Sequence, residues 1–358
     1  MTDPCRYFIP GPTWVRPELL AEMTRPMIGH RSAEFKELFR AINRDLKTLF
    51  AMKGDTFVVT SSGTGVMQAA LENCVDRRVL VTTCGAFSER WYSIAESCGY
   101  EVDRLDAGWG NAVDPEELAE HLARHARAHY DAVTITHNET STGVTNDVAA
   151  LAAVVREEAP DALVLVDAVS SLGGMPVLVD DWKLDVCLAS VQKGLALPPG
   201  ITVAAVSQQA LTRASKHRYR GTYFDFLSYK KHADDDSVPS TPSLPHFFAL
   251  AKQLESMIRT EGLDARYERH RRMRDITIER TSRFAKPAAA ANFSTTVTAL
   301  APAMPVETLR GEMKKRGYTL GGGYGQWKES TFRIGHMGDI PVADLEAMLD
   351  ALSEVARP

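Results

Sequence analysis

Uninterrupted apolar runs alternate with stretches of helical periodicity over the first two thirds of the chain. Leu163-Val164-Leu165-Val166 and Val186-Cys187-Leu188-Ala189 are two such runs, and each is typical of a strand buried on both faces. Between residues 33 and 50 the apolar positions fall on one side of a helix, and Ser32 is its expected N-cap. The alternation continues from residue 57 to 206 and predicts an α/β fold whose large domain holds a mainly parallel, doubly wound sheet.

The last part of the chain predicts a second, smaller α/β domain, because short strands alternate with helices after residue 284. We expect an N-terminal arm over residues 1–15, a large domain over 16–240, a connecting helix over 241–262 and a small C-terminal domain over 263–358. The arm contains Pro10-Gly11-Pro12, which is too rich in proline for a helix and is expected to be extended or turned.

Composition and charge narrow the classes of function. The chain has 358 residues, of which 44% are hydrophobic, so it can bury a large core. Its net charge of −5 argues against a nucleic-acid partner. The five cysteines are odd in number and include no C-x-x-C pair, which favours reduced thiols in a cytoplasmic protein. We expect no membrane association, because no apolar run reaches the roughly 20 residues of a membrane span and no signal-peptide pattern opens the chain.

Two charged residues follow the apolar runs. Asp167 comes directly after the first run, and Lys193 comes shortly after the second. Because the carboxyl ends of parallel strands meet at one edge of a sheet, both side chains are expected at the mouth of a crevice. A carboxylate there can keep a pyridine nitrogen protonated, and a partly buried lysine can form a Schiff base. From these two residues alone, an ordinary salt bridge is the alternative.

The residues around this pair resemble one family. The run Val166-Asp167-Ala168-Val169-Ser170-Ser171-Leu172-Gly173-Gly174, followed by Gln192-Lys193 and Pro198-Pro199-Gly200, is similar to the class V (fold type I) pyridoxal-phosphate aminotransferases, in particular to their alanine/serine–glyoxylate branch. The resemblance extends over nearly the whole chain, although Val191 stands where the family usually has Ser or Gly. It implies the fold type I architecture and pyridoxal 5′-phosphate (PLP) as cofactor, bound by the large domain. Lys193 and Asp167 are then the catalytic residues, and both contact the cofactor together with Gln192.

A turn between a predicted strand and a predicted helix implies the site of the cofactor phosphate. Ser61-Ser62-Gly63-Thr64-Gly65 offers free backbone amides and the positive end of a helix dipole, which favour a phosphate. By resemblance, the cofactor contacts come from Thr64, Gly65 and the amide of Val66.

Three more cofactor contacts are implied by position in the family pattern. Phe87 matches the aromatic residue that stacks on the pyridine ring, although a core position is the alternative for it. Thr140 matches the residue whose hydroxyl bonds the cofactor's phenolic oxygen. Thr241 matches a residue that reaches the phosphate of the neighbouring subunit, so the resemblance implies a homodimer with its active site at the subunit interface. Val238 replaces a tyrosine that often precedes this threonine, which weakens the implied contact.

Substrate contacts are implied near both ends of the chain. The run Phe332-Arg333-Ile334-Gly335-His336-Met337-Gly338 matches the family's substrate-carboxylate arginine. A planar, bidentate donor suits an amino or keto acid, so Arg333 is expected to bind substrate. Gly11 of the arm is implied by the resemblance to lie near the substrate, and His336 is expected to be structural.

His30 and Arg31 are open to two interpretations. They precede a helix start, where a positive side chain strengthens an anion site, and a similar segment holds the substrate phosphate in phosphoserine aminotransferases. The segment also occurs in glyoxylate-using relatives, and Arg31 could be a surface ion-pair partner. His137 and Glu139 lack the ligand spacing of a metal site, so no metal is expected.

Together these residues predict a PLP-dependent aminotransferase. It would move an amino group from a small amino acid of the alanine or serine type to glyoxylate or another 2-oxo acid. Phosphoserine aminotransferase is the alternative and depends on His30 and Arg31. A lyase or desulfurase of the same fold is less favoured because no cysteine follows Cys187. From another class, the alternative is a cofactor-free binding protein.

Overall fold

The computed structural model describes residues 5–217 and 220–356, which form two β-sheets and one short hairpin. In chain order the strands are β1 Tyr7–Phe8, β2 Asp55–Val59, β3 Arg78–Thr83, β4 Glu101–Asp106, β5 Ala132–Thr136, β6 Asn138–Glu139, β7 Val144–Thr145, β8 Leu163–Asp167, β9 Val186–Ser190, β10 Thr202–Val206, β11 Ala285–Pro287, β12 Val297–Pro302, β13 Thr319–Gly322 and β14 Phe332–Gly335.

The helices surround these sheets. They are α1 Pro17–Glu22, α2 Ala33–Leu49, α3 Gly63–Cys74, α4 Ser88–Ser97, α5 Pro115–Arg124, α6 Val148–Glu158, α7 Gln208–Lys216, α8 Phe226–Ala233, α9 Leu244–Glu255, α10 Leu263–Thr281, α11 Val306–Lys315 and α12 Val342–Val355. A π-helical turn, Ser256–Glu261, joins α9 to α10. Ser32 caps α2 as predicted, since its hydroxyl accepts a hydrogen bond from the amide of Phe35 at 3.2 Å.

The larger sheet has seven strands in the order β2-β10-β9-β8-β5-β3-β4. Strand β10 pairs antiparallel with β2 and with β9, and the other neighbouring pairs are parallel. The predicted mainly parallel sheet is therefore confirmed. Only β10 runs against the others, so β2, β3, β5, β8 and β9 all end at one edge of the sheet.

Alternate residues of a buried strand face opposite layers of helices. In β8, Leu163 and Leu165 pack in the cluster that contains residues of α3 and α4, whereas Val164 and Val166 pack in the cluster that contains residues of α2 and α6. All four side chains are fully buried, and each contributes about 1.5–3 kcal/mol to folding. Helices on both faces explain why the sequence shows an unbroken apolar run instead of alternation.

The second sheet brings the two ends of the chain together. Its order is β1-β13-β14-β12-β11, and β1 pairs in parallel with β13 through Tyr7 and Thr319. The residues after β1 pass so close to this sheet that a Cβ on Gly335 would lie 2.2 Å from the carbonyl oxygen of Ile9. A Cβ on Gly321 would likewise lie 2.6 Å from Pro10. The arm is thus held against β13 and β14, and β14 carries Arg333.

The helices between the sheets link the two parts of the chain. Helix α9 packs against α1 and α2, and α10 packs against α12 and the second sheet. Within residues 5–217 and 220–356, no helix combines the length and the apolar character that a membrane crossing requires.

Candidate active site

A cavity of about 280 Å³ lies at the edge where the parallel strands end. It collects residues from the arm, from the turn before α3, from the start of α4 and from the ends of β8 and β9. These are Gly11, Pro12, Ser62, Gly63, Thr64, Met67, Phe87, Arg90, Asp167, Val169, Ser190, Gln192, Lys193 and Pro199. Six of the residues predicted to line a site, Gly11, Thr64, Phe87, Asp167, Gln192 and Lys193, therefore share one cavity.

Lys193 lies in the loop after β9, under the N-terminal arm. Its amine donates a hydrogen bond to the carbonyl oxygen of Pro10. Burial, reinforced by the nearby positive charge of Arg333, lowers the pKa of Lys193 from 10.5 to about 8. A lysine with this pKa is roughly one tenth neutral at pH 7, a far larger fraction than for an ordinary lysine, and the neutral amine is the form that acts as a nucleophile.

Gly11 allows the arm to approach Lys193 closely. Its φ of +112° is unfavourable for other residues, and a Cβ there would lie 2.5 Å from Cδ of Lys193. Next to it, the amide of Thr13 donates to the carbonyl oxygen of Gln192 at 3.0 Å. These contacts fix the arm over the lysine loop.

Asp167 closes β8 at the floor of the cavity. It is 6% exposed, and Oδ1 accepts a hydrogen bond from the amide of Val169 at 2.7 Å. Burial raises the pKa of Asp167 from 3.8 to about 6, while this hydrogen bond acts in the opposite direction. The carboxylate is thus ionised at neutral pH and lies in a site that makes its negative charge costly, where a bound cation or N–H⁺ group would be strongly favoured.

The N-terminus of α3 is open for an anion. The side chain of its N-cap, Ser62, makes no capping hydrogen bond, and the first turn contains no acidic residue. Arg90 of α4 donates to the hydroxyl of Thr64 at 3.0 Å and so places a second positive group beside this end. Gly65 and Val66 belong to the same first turn but do not line the cavity, and both amides point to the carbonyl oxygen of Ser62.

Phe87 lies between the cavity and the second sheet. The guanidinium carbon of Arg90 is 4.9 Å from its ring centroid, and the amine of Lys193 is 5.8 Å from it. Tyr324 stacks on the same ring, with centroids 5.2 Å apart and planes inclined by 26°. Neither Arg90 nor Tyr324 was identified from the sequence. For Arg90, the sequence offered one indication, the spacing Phe87-x-x-Arg90 at the start of a predicted helix.

The hairpin β6–β7 holds Thr140 and organises the start of α4. Glu139 is fully buried, and its carboxylate accepts hydrogen bonds from the amides of Phe87 and Ser88 at 3.0 and 2.8 Å. The side chain of Ser141 donates to the other carboxylate oxygen at 2.7 Å. Glu139 therefore anchors the turn that carries Phe87. The backbone of Thr140 faces Arg333.

Arg333 is a buried cation without an acidic partner. It is 9% exposed, and its guanidinium donates to the carbonyl oxygens of Gly322 at 2.7 Å and Thr140 at 3.1 Å. Among the described residues no carboxylate lies within 4.0 Å of it. Burial lowers the pKa of Arg333 to about 10, so it stays charged at neutral pH. A substrate carboxylate would supply the missing counter-charge.

Seven of the predicted residues do not line this cavity. Four of them, Gly65, Val66, Thr140 and Arg333, are described above, and the other three are His30, Arg31 and Thr241. Arg31 and Thr241 are exposed and His30 is half-buried, and none of them lines the cavity of its own chain. In the part of the chain that the structure covers, no group of three or more His, Cys, Asp or Glu side chains is placed to hold a metal ion.

The residues present fit PLP, the cofactor that the resemblance implies. The open start of α3, with Thr64 and Arg90, suits a phosphate. Phe87 offers an aromatic face for the ring, and the buried charge of Asp167 suits a protonated ring nitrogen. The amine of Lys193 shares the same cavity.

Comparisons with known proteins identify the family of this chain. The sequence model for "Aminotransferase class-V" matches residues 18–294. The "Soluble hydrogenase, small subunit" of a Synechococcus species is 36% identical over 99% of this chain and 94% of that protein. A serine–glyoxylate aminotransferase from Methylorubrum extorquens is 34% identical over 93% of this chain and 86% of its own. The crystal structure of an alanine–glyoxylate aminotransferase from a Nostoc species superposes with a TM-score of 0.92 at 25% identity, covering 100% of this chain and 96% of the other. The chain therefore belongs to the class V aminotransferases.

Proposed function

We propose that this aminotransferase moves the amino group of a small amino acid, of the alanine or serine type, to glyoxylate or another 2-oxo acid, with PLP as its cofactor. The donor leaves as its 2-oxo acid and glyoxylate leaves as glycine, so one amino group and one carbonyl oxygen change places. The observation that carries the proposal is Arg333, a buried cation without a carboxylate partner among the described residues, close to the low-pKa amine of Lys193.

Each residue has a defined task in this proposal. When bound, PLP supplies an electron sink for the charge left when the donor loses its Cα proton. The neutral amine of Lys193 accepts that proton, and the carboxylate of Asp167 keeps the pyridine nitrogen protonated. Arg333 binds the α-carboxylate that donor and acceptor share, and it holds the reacting carbon beside Lys193.

The cavity that contains Lys193 and Asp167 is small. Its volume of about 280 Å³ falls just below the roughly 300–1,000 Å³ of ordinary ligand pockets, although it must hold both cofactor and substrate. The arm at Gly11 limits it from above. Phosphoserine is the weaker candidate, because a serine–glyoxylate aminotransferase matches most of the chain at 34% identity.

We further propose that the enzyme is a cytoplasmic homodimer. Thr241 is exposed, so its side chain is accessible to a neighbouring subunit, where the resemblance places it at the cofactor phosphate. The five cysteines are unpaired and four of them are buried, in keeping with a reducing compartment. Sedimentation velocity tests the dimer, and cell fractionation tests the compartment.

The test of the cofactor and of Lys193 is direct. Purified protein supplied with PLP should show a visible absorption band that borohydride abolishes, and peptide mass spectrometry should then find the cofactor's mass on Lys193. Lys193→Ala should lack the band and all turnover while keeping its far-ultraviolet circular dichroism. A protein that stays colourless with added PLP, or a tag on another lysine, would refute the assignment.

The donor and acceptor are tested separately. Alanine, serine, aspartate and phosphoserine should each be offered with glyoxylate, pyruvate and 2-oxoglutarate. We expect the highest kcat/KM for alanine or serine with glyoxylate. Preference for phosphoserine with 2-oxoglutarate would replace the proposed substrates with the weaker candidate.

A further inference from the structure

Arg266 of α10 is the most deeply buried arginine near the candidate site, at 1% exposure. Its Nε donates to the carbonyl oxygen of Gly173 at 2.7 Å, and its Nη2 donates to the carbonyl oxygen of Gly194 at 2.8 Å. Gly173 belongs to the loop that leaves Asp167, and Gly194 directly follows Lys193. One side chain from outside the cavity thus holds both of the loops that carry the proposed catalytic pair.

The two loops touch each other at the same point. A Cβ on Gly194 would lie 2.3 Å from the carbonyl oxygen of Leu172, and a Cβ on Gly173 would lie 3.1 Å from the carbonyl oxygen of Gly194. Gly173 also has a φ of +82°, which L-residues rarely adopt. Because the two loops lie so close together, the carbonyl groups of Gly173 and Gly194 can both accept hydrogen bonds from the single planar guanidinium of Arg266.

The remaining contacts of Arg266 anchor it to two other parts of the site. Its Nη1 donates to Glu261 at 2.7 Å and to Asp339 at 2.8 Å. Asp339 follows the strand of Arg333, and it also accepts a hydrogen bond from Nε of Arg16 at 2.6 Å. Arg16 directly follows the arm. The segments that carry Gly11, Asp167, Lys193 and Arg333 are therefore tied to one buried ionic group.

We propose that Arg266 is a positioning residue that sets the distance between Lys193 and Asp167 by fixing the backbone at Gly194 and Gly173. The inference rests on the proposed function, which gives Lys193 and Asp167 their roles. Displacing a catalytic group by about 1 Å can cost on the order of 100-fold in rate, so a clamp on both loops has a direct consequence for turnover.

Arg156 provides a matched control on the same two strands. It donates to the carbonyl oxygen of Ala162 at 3.0 Å and to the carboxylate of Asp185 at 2.5 Å. Ala162 precedes β8 and Asp185 precedes β9, so Arg156 joins the starts of the strands whose ends Arg266 joins. A change there should reduce stability without moving Lys193.

The experiment compares Arg266→Lys with Arg156→Lys. Lysine keeps the positive charge near Glu261 and Asp339 but lacks the planar fork whose separate nitrogens reach the two carbonyl groups. In cofactor-free protein, the pH dependence of reductive methylation at Lys193, read by peptide mass spectrometry, reports the pKa of this amine. With PLP bound, kcat and KM are measured on alanine and glyoxylate.

We expect Arg266→Lys to raise the Lys193 midpoint by about one pH unit, because a displaced loop lets water reach the amine, and to lower kcat by roughly 10- to 100-fold. Arg156→Lys should leave both values at those of the wild type. The inference is overturned if Arg266→Lys only lowers the melting temperature, as the control does, while the Lys193 midpoint and kcat stay unchanged.

A second variant covers the case in which Arg266→Lys does not fold. Asp339→Asn keeps the shape of the anchor, weakens its hold on Arg266, and should produce the same two changes in smaller measure. An unchanged midpoint and kcat in this variant would equally overturn the inference. Failure of the proposed function is distinguishable, since wild-type protein would then show no PLP-dependent tag on Lys193.

Discussion

At the scale of single residues, burial shifts the pKa values of Lys193, Asp167 and Arg333 in the direction that favours their neutral forms. The pKa of Lys193 falls to about 8, that of Asp167 rises to about 6, and that of Arg333 falls to about 10. Each shift means that the charged form is destabilised where it lies. The site therefore holds charge that the fold alone does not favour, and a bound cofactor and substrate would compensate it.

Asp167→Asn tests the role of this charge. The asparagine side chain keeps the shape of Asp167 and an oxygen that accepts the hydrogen bond from the backbone amide of Val169. It has no negative charge, however, to keep the pyridine nitrogen protonated. Since an ionic hydrogen bond in a desolvated site is worth about 2–4 kcal/mol, turnover should fall roughly 30- to 1000-fold. Steady-state kinetics with saturating PLP measure this. Near-normal turnover would show that another group protonates the ring nitrogen.

The same variant, although it lowers turnover, should raise the stability of the cofactor-free protein at neutral pH. A folded-state pKa raised from 3.8 to about 6 gives a stabilising contribution that is complete below pH 3.8 and is lost as the pH rises through 6. The loss corresponds to on the order of 3 kcal/mol. Asparagine does not ionise, so Asp167→Asn should be the more stable protein at pH 7.5 and lose this advantage near pH 4. Urea unfolding at both pH values provides the check, and a variant less stable than wild type at pH 7.5 would contradict it.

At the scale of elements, the arm is the part that the sequence described least. Its proline-rich composition predicted an extended segment, and the resemblance placed Gly11 near the substrate. The pairing of β1 with β13 could not be predicted, because a strand of two residues has no periodicity and its partner lies more than 300 positions away. This pairing is what brings Pro10 and Gly11 over Lys193.

Gly11→Ala tests the contact between the arm and the lysine. The new methyl group would lie 2.5 Å from Lys193 Cδ, so either the arm or the lysine must move. We expect turnover to fall by roughly 10- to 100-fold. Gly99→Ala is the control, since Gly99 also has a positive φ, +84°, but has no atom within 4 Å of the added Cβ. Both variants carry backbone strain, and only the first meets Lys193. Equal kinetics in the two variants would show that backbone strain, and not this contact, governs the effect.

The elements that the sequence predicted best are those set by local pattern. The apolar runs predicted strands β8 and β9. Asp167 and Lys193 follow these runs in the sequence, which predicted their places near the strand ends. Arg90, Tyr324 and Arg266 were not found, because their significance comes from contacts across the fold. Arg266 lies in a helix whose many arginines indicate only a solvated face, yet its own side chain is buried between two loops.

At the scale of the whole molecule, the candidate site joins both sheets. The first sheet supplies Lys193 and Asp167 at the carboxyl ends of its strands, as this arrangement of parallel strands favours. The second sheet supplies Arg333, and the arm crosses from one to the other. His30 and Arg31 precede α2 and, like Arg333, are not among the residues that line the cavity of Lys193 and Asp167. A phosphorylated donor would need a further cation besides Arg333, and Arg31 is the residue that the sequence predicts for that contact.

Arg333→Lys and Arg31→Ala separate these possibilities. Each donor has an α-carboxylate, so Arg333→Lys should lower kcat/KM for alanine, serine and phosphoserine alike, by roughly 10- to 100-fold, because lysine lacks the bidentate geometry. Arg31→Ala should change all three by less than about threefold, since Arg31 is exposed and forms no ion pair among the described residues. Kinetics of the three proteins on the three donors decide the matter. A loss confined to phosphoserine in Arg31→Ala, of the roughly 10- to 150-fold that a charged hydrogen bond is worth, would mean that Arg31 reaches a substrate phosphate across a subunit interface and that phosphoserine is the donor.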